Sequence, residues 1–92
     1  MEERTKRIEM LLGAAAMERL RAAHVIVFGL GGVGSWCAEA LARSGVGRLT
    51  LVDEDCVSES NLNRQLCALG STIGASKAEA MAARLRDIAP GA

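Results

Sequence analysis

Aromatic side chains are nearly missing from this sequence: Phe28 and Trp36 are the only two among 92 residues. A core must therefore be built from aliphatic residues and alanine, which the 50% hydrophobic content can supply. Net charge is missing as well, with eleven basic and eleven acidic side chains. That balance provides no broad electrostatic footprint for a nucleic acid or an anionic membrane. No apolar run approaches the roughly 20 residues of a membrane span, and no secretory pattern opens the chain. Cys37, Cys56 and Cys67 are odd in number and lack CxxC spacing, which points to reduced thiols in a cytoplasmic protein. Repeats and low-complexity tracts are absent. The length suits one small domain and no more.

What is present is a clear order of periodicities. Residues 4–22 read as helix broken near Gly13, with Ile8, Leu11, Leu12, Met17 and Leu20 as apolar positions. His24 to Gly29 reads as a strand whose continuous apolar run suits a parallel strand covered on both faces. A helix is expected from about Gly32 to Ser44, with Val33, Trp36, Cys37, Ala40, Leu41 and Ser44 facing the sheet. Arg43 and Gly45 are stop signals for it. Arg48 to Asp53 reads as a second strand, followed by a polar connection to about Gly74 with a short helical turn around Asn61 to Leu69. The capping box Ser76-Lys77-Ala78-Glu79 opens a last helix that buries Ala78, Met81, Leu85 and Ile88 and stops at Pro90-Gly91.

This order predicts an α/β fold: a helical segment over 1–23, then a βαβα portion over 24–92, the N-terminal part of a doubly wound, Rossmann-like parallel sheet. Two parallel strands leave apolar faces and edges open. The 92 residues are therefore expected to be a single, incomplete nucleotide-binding domain, the front portion of a larger one.

The chemistry concentrates in Gly29-Leu30-Gly31-Gly32-Val33-Gly34, between the first strand and the helix after it. Gly29 permits the tight turn, Gly31 the close approach of a phosphate, and Gly34 the packing of helix on strand. Backbone N–H groups and the helix dipole at such a turn favour an anion. Asp53 closes the second strand 19 residues after Gly34, where a carboxylate can accept hydrogen bonds from ribose hydroxyls. These two features alone also fit an NAD-dependent dehydrogenase. Arg64 and Lys77 argue against it, since two cations converging on one crevice suit a triphosphate better. Lys77 occupies the first turn of a helix, where the dipole disfavours a cation unless an anion lies near. Each of the two is otherwise an ordinary solvated charge.

These residues together, with Asp53-Glu54-Asp55, Asn61-Leu62-Asn63-Arg64-Gln65, Gly74 and Lys77, resemble the ubiquitin-activating-type (ThiF/MoeB) adenylating enzymes. The run from Gly34-Ser35-Trp36-Cys37 to Arg43-Ser44-Gly45 is most similar to the tRNA threonylcarbamoyladenosine dehydratases of that superfamily, as is the opening Arg7-Ile8-Glu9-Met10-Leu11-Leu12-Gly13. The resemblance covers Arg7 to Pro90. It implies that Gly29, Gly31, Gly32 and Gly34 cradle ATP and that Asp53 holds its ribose. Asn61, Arg64 and Lys77 would contact the phosphates or orient the activated group. Arg7 matches an arginine passed across a homodimer interface to the partner's ATP, so that Arg64, Lys77 and Arg7 form the implied catalytic set. The implied reaction is ATP-dependent activation of a threonyl carboxylate on a modified adenosine of tRNA, followed by ring closure.

The resemblance also implies what these residues lack. The superfamily's magnesium-binding aspartate comes later than the second strand, so the Mg2+ ligand is expected outside this chain. The parts that complete the dimer and bind tRNA are expected there too, and residues 1–92 alone are expected to show little or no activity. Cys37 stands where alanine is usual and is expected to be small and buried; none of the three thiols matches a transferable cysteine. Two alternatives stay open: an adenylyltransferase that activates a ubiquitin-like sulfur carrier and works with sulfur-transfer proteins, and a non-catalytic ATP-binding or dimerisation segment.

Overall fold

The structure is a computed structural model that describes residues 3–92. A 3-10 turn at Glu3–Thr5 leads into α1 (Lys6–Leu12) and α2 (Ala14–Ala22). They are separated at Gly13, whose φ of 90° ends the first helix while its N–H still reaches Glu9 O at 2.7 Å. Met17 is fully buried, but Leu11 and Leu12 of the expected apolar stripe are exposed.

Strands β1 (His24–Phe28) and β2 (Arg48–Val52) pair in parallel, with His24 opposite Arg48 and Phe28 opposite Val52. The crossover between them is α3 (Gly32–Ser44), which ends on Gly45 in the left-handed region. α2 meets the turn after α3 at Gly47, where a Cβ would lie 1.9 Å from Arg21 O. Only glycine allows that approach, which is sealed by Gly47 N–H donating to Leu20 O at 3.1 Å. Finally α4 (Lys77–Ile88) starts on Ser76, whose hydroxyl accepts from the Glu79 N–H at 3.3 Å. The α/β, Rossmann-like start predicted from the sequence is thus the one observed. No helix among the described residues is long and apolar enough to cross a membrane.

Both α3 and α4 lie on one face of the two-stranded sheet. The core there joins Val27, Ala38, Ala42, Met81 and Leu85, with Val25, Leu49 and Leu51 packed against it. This corrects the expectation that the first strand is covered on both sides. His24, Ile26 and Phe28 on β1, and Arg48, Thr50 and Val52 on β2, all face outward and are exposed. Period two sends alternate residues to opposite faces, and only one face has helices to meet them.

The orientation of α3 is a second correction. Val33, Trp36, Cys37 and Ala40 are exposed, Leu41 and Ser44 are half-buried, and the buried residues are Ser35, Ala38, Glu39 and Ala42. The reason lies at Gly34, where a Cβ would sit 1.8 Å from Gly29 O. A helix pressed so closely on a strand has room only for small side chains along the contact; Val33 and Cys37 are left lining an open groove beside β1, and Trp36 turns to the main chain at Arg64. Cys37 is therefore exposed rather than buried.

The connection between β2 and α4 is compact. It holds a 3-10 turn at Glu59–Asn61, two residues earlier than expected, and further turns after it. Its end folds back on its beginning: Val57 N–H donates to Ala75 O and Gly74 N–H to Val57 O, each at 2.8 Å, and Lys77 N–H donates to Asp55 O at 3.0 Å. That folding brings the first residue of α4 to the C-terminal end of β2.

Candidate functional site, a glycine turn at the carboxyl end of the sheet

The parallel strands deliver Gly29 and Asp53 side by side. Gly29 has φ 87°, a conformation that side chains rarely adopt, and its N–H donates to Val52 O at 2.8 Å. The chain then turns sharply through the fully buried Leu30 into α3. Asp53 accepts from the Leu30 N–H through Oδ2 at 2.7 Å and from the Asp55 N–H through Oδ1 at 2.8 Å. The carboxylate therefore fastens the turn to the end of β2. Burial pushes its pKa up, but the Leu30 and Asp55 N–H groups and the charge of Lys77 outweigh that and hold it below the usual aspartate range. Each oxygen keeps a lone pair for a further donor.

α3 starts on Gly31 with no side-chain cap. The first N–H groups of a helix have no partner within it, so those of Gly32, Val33 and Gly34 are available to an anion, with the dipole in support. A Cβ on Gly31 would meet nothing nearer than Gln65 Nε2 at 3.9 Å, so the approach to the turn is open. Gly34, by contrast, is required by the fold, through its contact with Gly29 O.

Two cations flank this turn. The Arg64 side chain runs over Gly32, its Cγ and Cδ 3.7 Å from where a Cβ would be. Its Nη1 donates to Ser60 O at 3.0 Å and to Asn63 Oδ1 at 2.8 Å, and the residue is exposed. Lys77 is buried. Its charge acts on the Asp53 carboxylate at the end of β2, though the two make no direct ion pair. Cys67, also buried, points its thiol at Leu30 O at 3.7 Å; burial pushes its pKa up, which makes it a packing residue behind the turn.

Residues 5–92 match the ThiF family. The chain belongs to the ThiF family. It is 51% identical over 89 residues to the tRNA threonylcarbamoyladenosine dehydratase of Haemophilus influenzae, covering 97% of this chain and 34% of that protein. With the dehydratase of Bacillus subtilis the identity is 55% over 84 residues, covering 91% of this chain and 33% of the relative. A crystal structure of the Escherichia coli dehydratase in complex with ATP superposes with a TM-score of 0.95 at 48% identity, covering 97% of this chain and 37% of that one. This chain thus spans about a third of the length of the curated relatives it matches.

Of the residues singled out from the sequence, the fold brings Gly29, Gly31, Gly32, Gly34, Asp53, Arg64 and Lys77 to one end of the sheet. Asn61 reaches the same loop but is occupied. Its Oδ1 accepts from the Ser58 N–H at 2.9 Å and the Ser58 hydroxyl at 3.0 Å, which leaves its amide nitrogen for a ligand. Arg7 is exposed on α1, outside the contacts that join the turn, β2 and the 61–67 loop. Among the described residues, no group of three or more His, Cys, Asp or Glu side chains is placed to hold a metal ion.

Sequence reasoning missed three contributors. Leu30 supplies the N–H that binds Asp53, while Ser35 and Trp36 bond to the loop that carries Arg64. Backbone donors leave no signal in residue identity. Trp36 was assigned by helical period to the sheet instead of the loop, and Ser35 was given no role.

Proposed function

We propose that the protein to which this chain belongs is an ATP-dependent tRNA threonylcarbamoyladenosine dehydratase, with this chain forming its nucleotide-binding front portion. The reading is carried by the likeness to a dehydratase solved with ATP, over the same segment in which the glycine turn, Asp53, Arg64 and Lys77 meet. The N–H groups of Gly32, Val33 and Gly34 would bind phosphate oxygens, and the remaining lone pairs of Asp53 would accept from the ribose. Arg64 and Lys77 would balance the charge that develops as pyrophosphate leaves and the threonyl carboxylate becomes activated. The neighbouring carbamoyl group would then attack the adenylated carboxyl and displace AMP, closing the ring, so that water is lost overall at the expense of ATP. A homodimer that supplies Arg7 in trans, a Mg2+ ligand and a tRNA-binding region belong to this proposal and draw on further chain.

Pyrophosphate release stimulated by tRNA that carries the threonylcarbamoyl adenosine is the direct test. Arg64→Ala and Lys77→Ala should each abolish it, and Arg64→Ala, at an exposed side chain, should leave the melting temperature in place. ATP should raise the melting temperature of the full protein and NAD should not. Turnover that depends on a ubiquitin-like sulfur carrier instead of tRNA would replace the substrate assignment with the adenylyltransferase alternative. Equal stabilisation by NAD would overturn the ATP site itself.

A further inference from the structure

Trp36 is the one tryptophan of the chain, and it is more than half exposed on α3 instead of buried in the core. Its indole N–H donates to the main-chain carbonyl of Arg64 at 3.0 Å. The preceding Ser35, fully buried, works beside it: its hydroxyl donates to Gly31 O at 2.7 Å and accepts from the Leu66 N–H at 3.2 Å. Two consecutive residues near the start of α3 therefore grip the loop on either side of Gln65, itself buried against Gly31.

The loop has its own internal framework. Asn61 closes the cap on Ser58, and the N–H groups of Arg64 and Gln65 both donate to Asn61 O at 3.2 and 3.0 Å. The bonds from Ser35 and Trp36 add nothing to that framework. What they fix is where the loop sits on α3, and hence where the Arg64 side chain leaves its backbone above Gly32. Arg64 anchors its Nη1 to Ser60 O and Asn63 Oδ1 within the same loop, so a shift of the loop moves the guanidinium as one piece.

We propose that Trp36, with Ser35, is a positioning residue that sets Arg64 over the glycine turn for the phosphates of the nucleotide. The inference rests on the reading of this turn as the ATP site. Trp36→Phe keeps the ring and deletes only the N–H. Affinities of the full-length protein for ATP and for adenosine are measured by equilibrium dialysis for wild type, W36F, R64A and the double variant. One lost hydrogen bond at a position that acts through Arg64 should weaken ATP binding about three- to tenfold. Adenosine, which has no phosphate for Arg64 to reach, should bind W36F as it binds wild type. In the R64A background the Trp36 change should add no further loss, because the side chain it positions is gone. S35A, acting from the other side of Gln65, should repeat the pattern and serves as the second variant if W36F folds poorly.

A loss in W36F that persists in full in the R64A background, or one shared equally by adenosine, would make Trp36 merely structural and overturn the proposal. Unchanged ATP affinity in W36F and S35A, with R64A still impaired, would overturn it and leave the ATP reading standing. If wild type and R64A bind ATP equally, the reading of Arg64 fails first and this inference with it.

Discussion

Both faces of the sheet carry large apolar residues, and those residues have opposite fates. On the inner face Val25, Val27, Leu49 and Leu51 pack beneath α3 and α4. On the outer face Ile26, Phe28 and Val52 stand in solvent, Phe28 with 76% of its surface exposed, although it is the only phenylalanine and immediately follows buried Val27. Hydrophobicity does not decide this; the helices at hand do. The candidate site belongs wholly to the inner side. Asp53, Leu30, Arg64 and Lys77 are placed by β2, α3, α4 and the loop between them. None of the contacts that hold the glycine turn involves an outer-face side chain. Geometry for binding a phosphate is thus assembled by one layer of helices on two strands.

The inner layer is most exposed to attack where it comes closest to the strand. Gly34→Ala places a Cβ 1.8 Å from Gly29 O, a backbone atom that cannot swing aside. Overpacking ordinarily costs about 1–3 kcal/mol, and a rigid neighbour puts this case at or above the top of that range. The helix would have to lift from β1, opening the turn and its N–H groups together. Urea unfolding should therefore show the largest stability loss of any change considered, with nucleotide binding lost as well. A Gly34→Ala protein within about 1 kcal/mol of wild type would mean that the two faces are equally tolerant, and the contrast would dissolve.

A charged residue inside the inner layer gives an intermediate effect. Glu39 lies between α3 and α4, accepting from Arg84 and, at 3.2 Å, from Arg43. The Arg84 hydrogen bond, opposed by burial and assisted by Arg43, holds its carboxyl below the ordinary glutamate range. Breaking a fully buried pair costs about 3–5 kcal/mol, but Arg84 is a third exposed and Arg43 more than half, so Glu39→Gln should cost about 1–2 kcal/mol. A depressed folded-state pKa contributes stability that is present above the unfolded value. That stability is lost as the pH falls through the ordinary carboxylate range to the lower folded value. Asp53 acts with the same sign. Wild type should therefore lose stability in acid from about pH 5 downward, and Glu39→Gln should lose less over that interval. Parallel acid profiles for the two proteins would show that the pair does not join the helices.

How much of this was legible in the sequence follows the same division. Element types and ends were readable because they depend on local signals: Gly13 and Gly45 as breaks, Ser76 as a cap, the glycine turn after an apolar run. The convergence of Asp53, Arg64 and Lys77 on that turn was readable from spacing and resemblance. Facing was not. The helical period placed Val33, Trp36 and Cys37 buried against the sheet, yet α3 buries Ala38 and Ala42 in the core and Ser35 against the loop that carries Arg64. Nor does alternation along β1 say which of Val27 and Phe28 will find a helix. Asn61 was legible as polar and near the site. Its engagement by Ser58 depends on a turn three residues long, which residue identity alone does not reveal.

The smallest expected effect tests the contrast most directly. Val27→Ala removes two methyl groups from the core, where deletion of buried carbons costs roughly 1 kcal/mol each, so a loss of about 1–3 kcal/mol is expected. Phe28→Ala removes a much larger apolar surface from the next position, yet that surface is already in water, and the change should lie within about 0.5 kcal/mol of wild type for residues 1–92. The smaller deletion should be the costlier one. Chemical unfolding of both variants at several protein concentrations measures this, because association through the outer face would make the Phe28 effect grow with concentration. A Phe28→Ala loss that equals or exceeds that of Val27→Ala and does not depend on concentration would mean that the outer face is covered within the chain itself. The asymmetry between the faces would then be wrong, and with it the placement of the whole site on one side of the sheet.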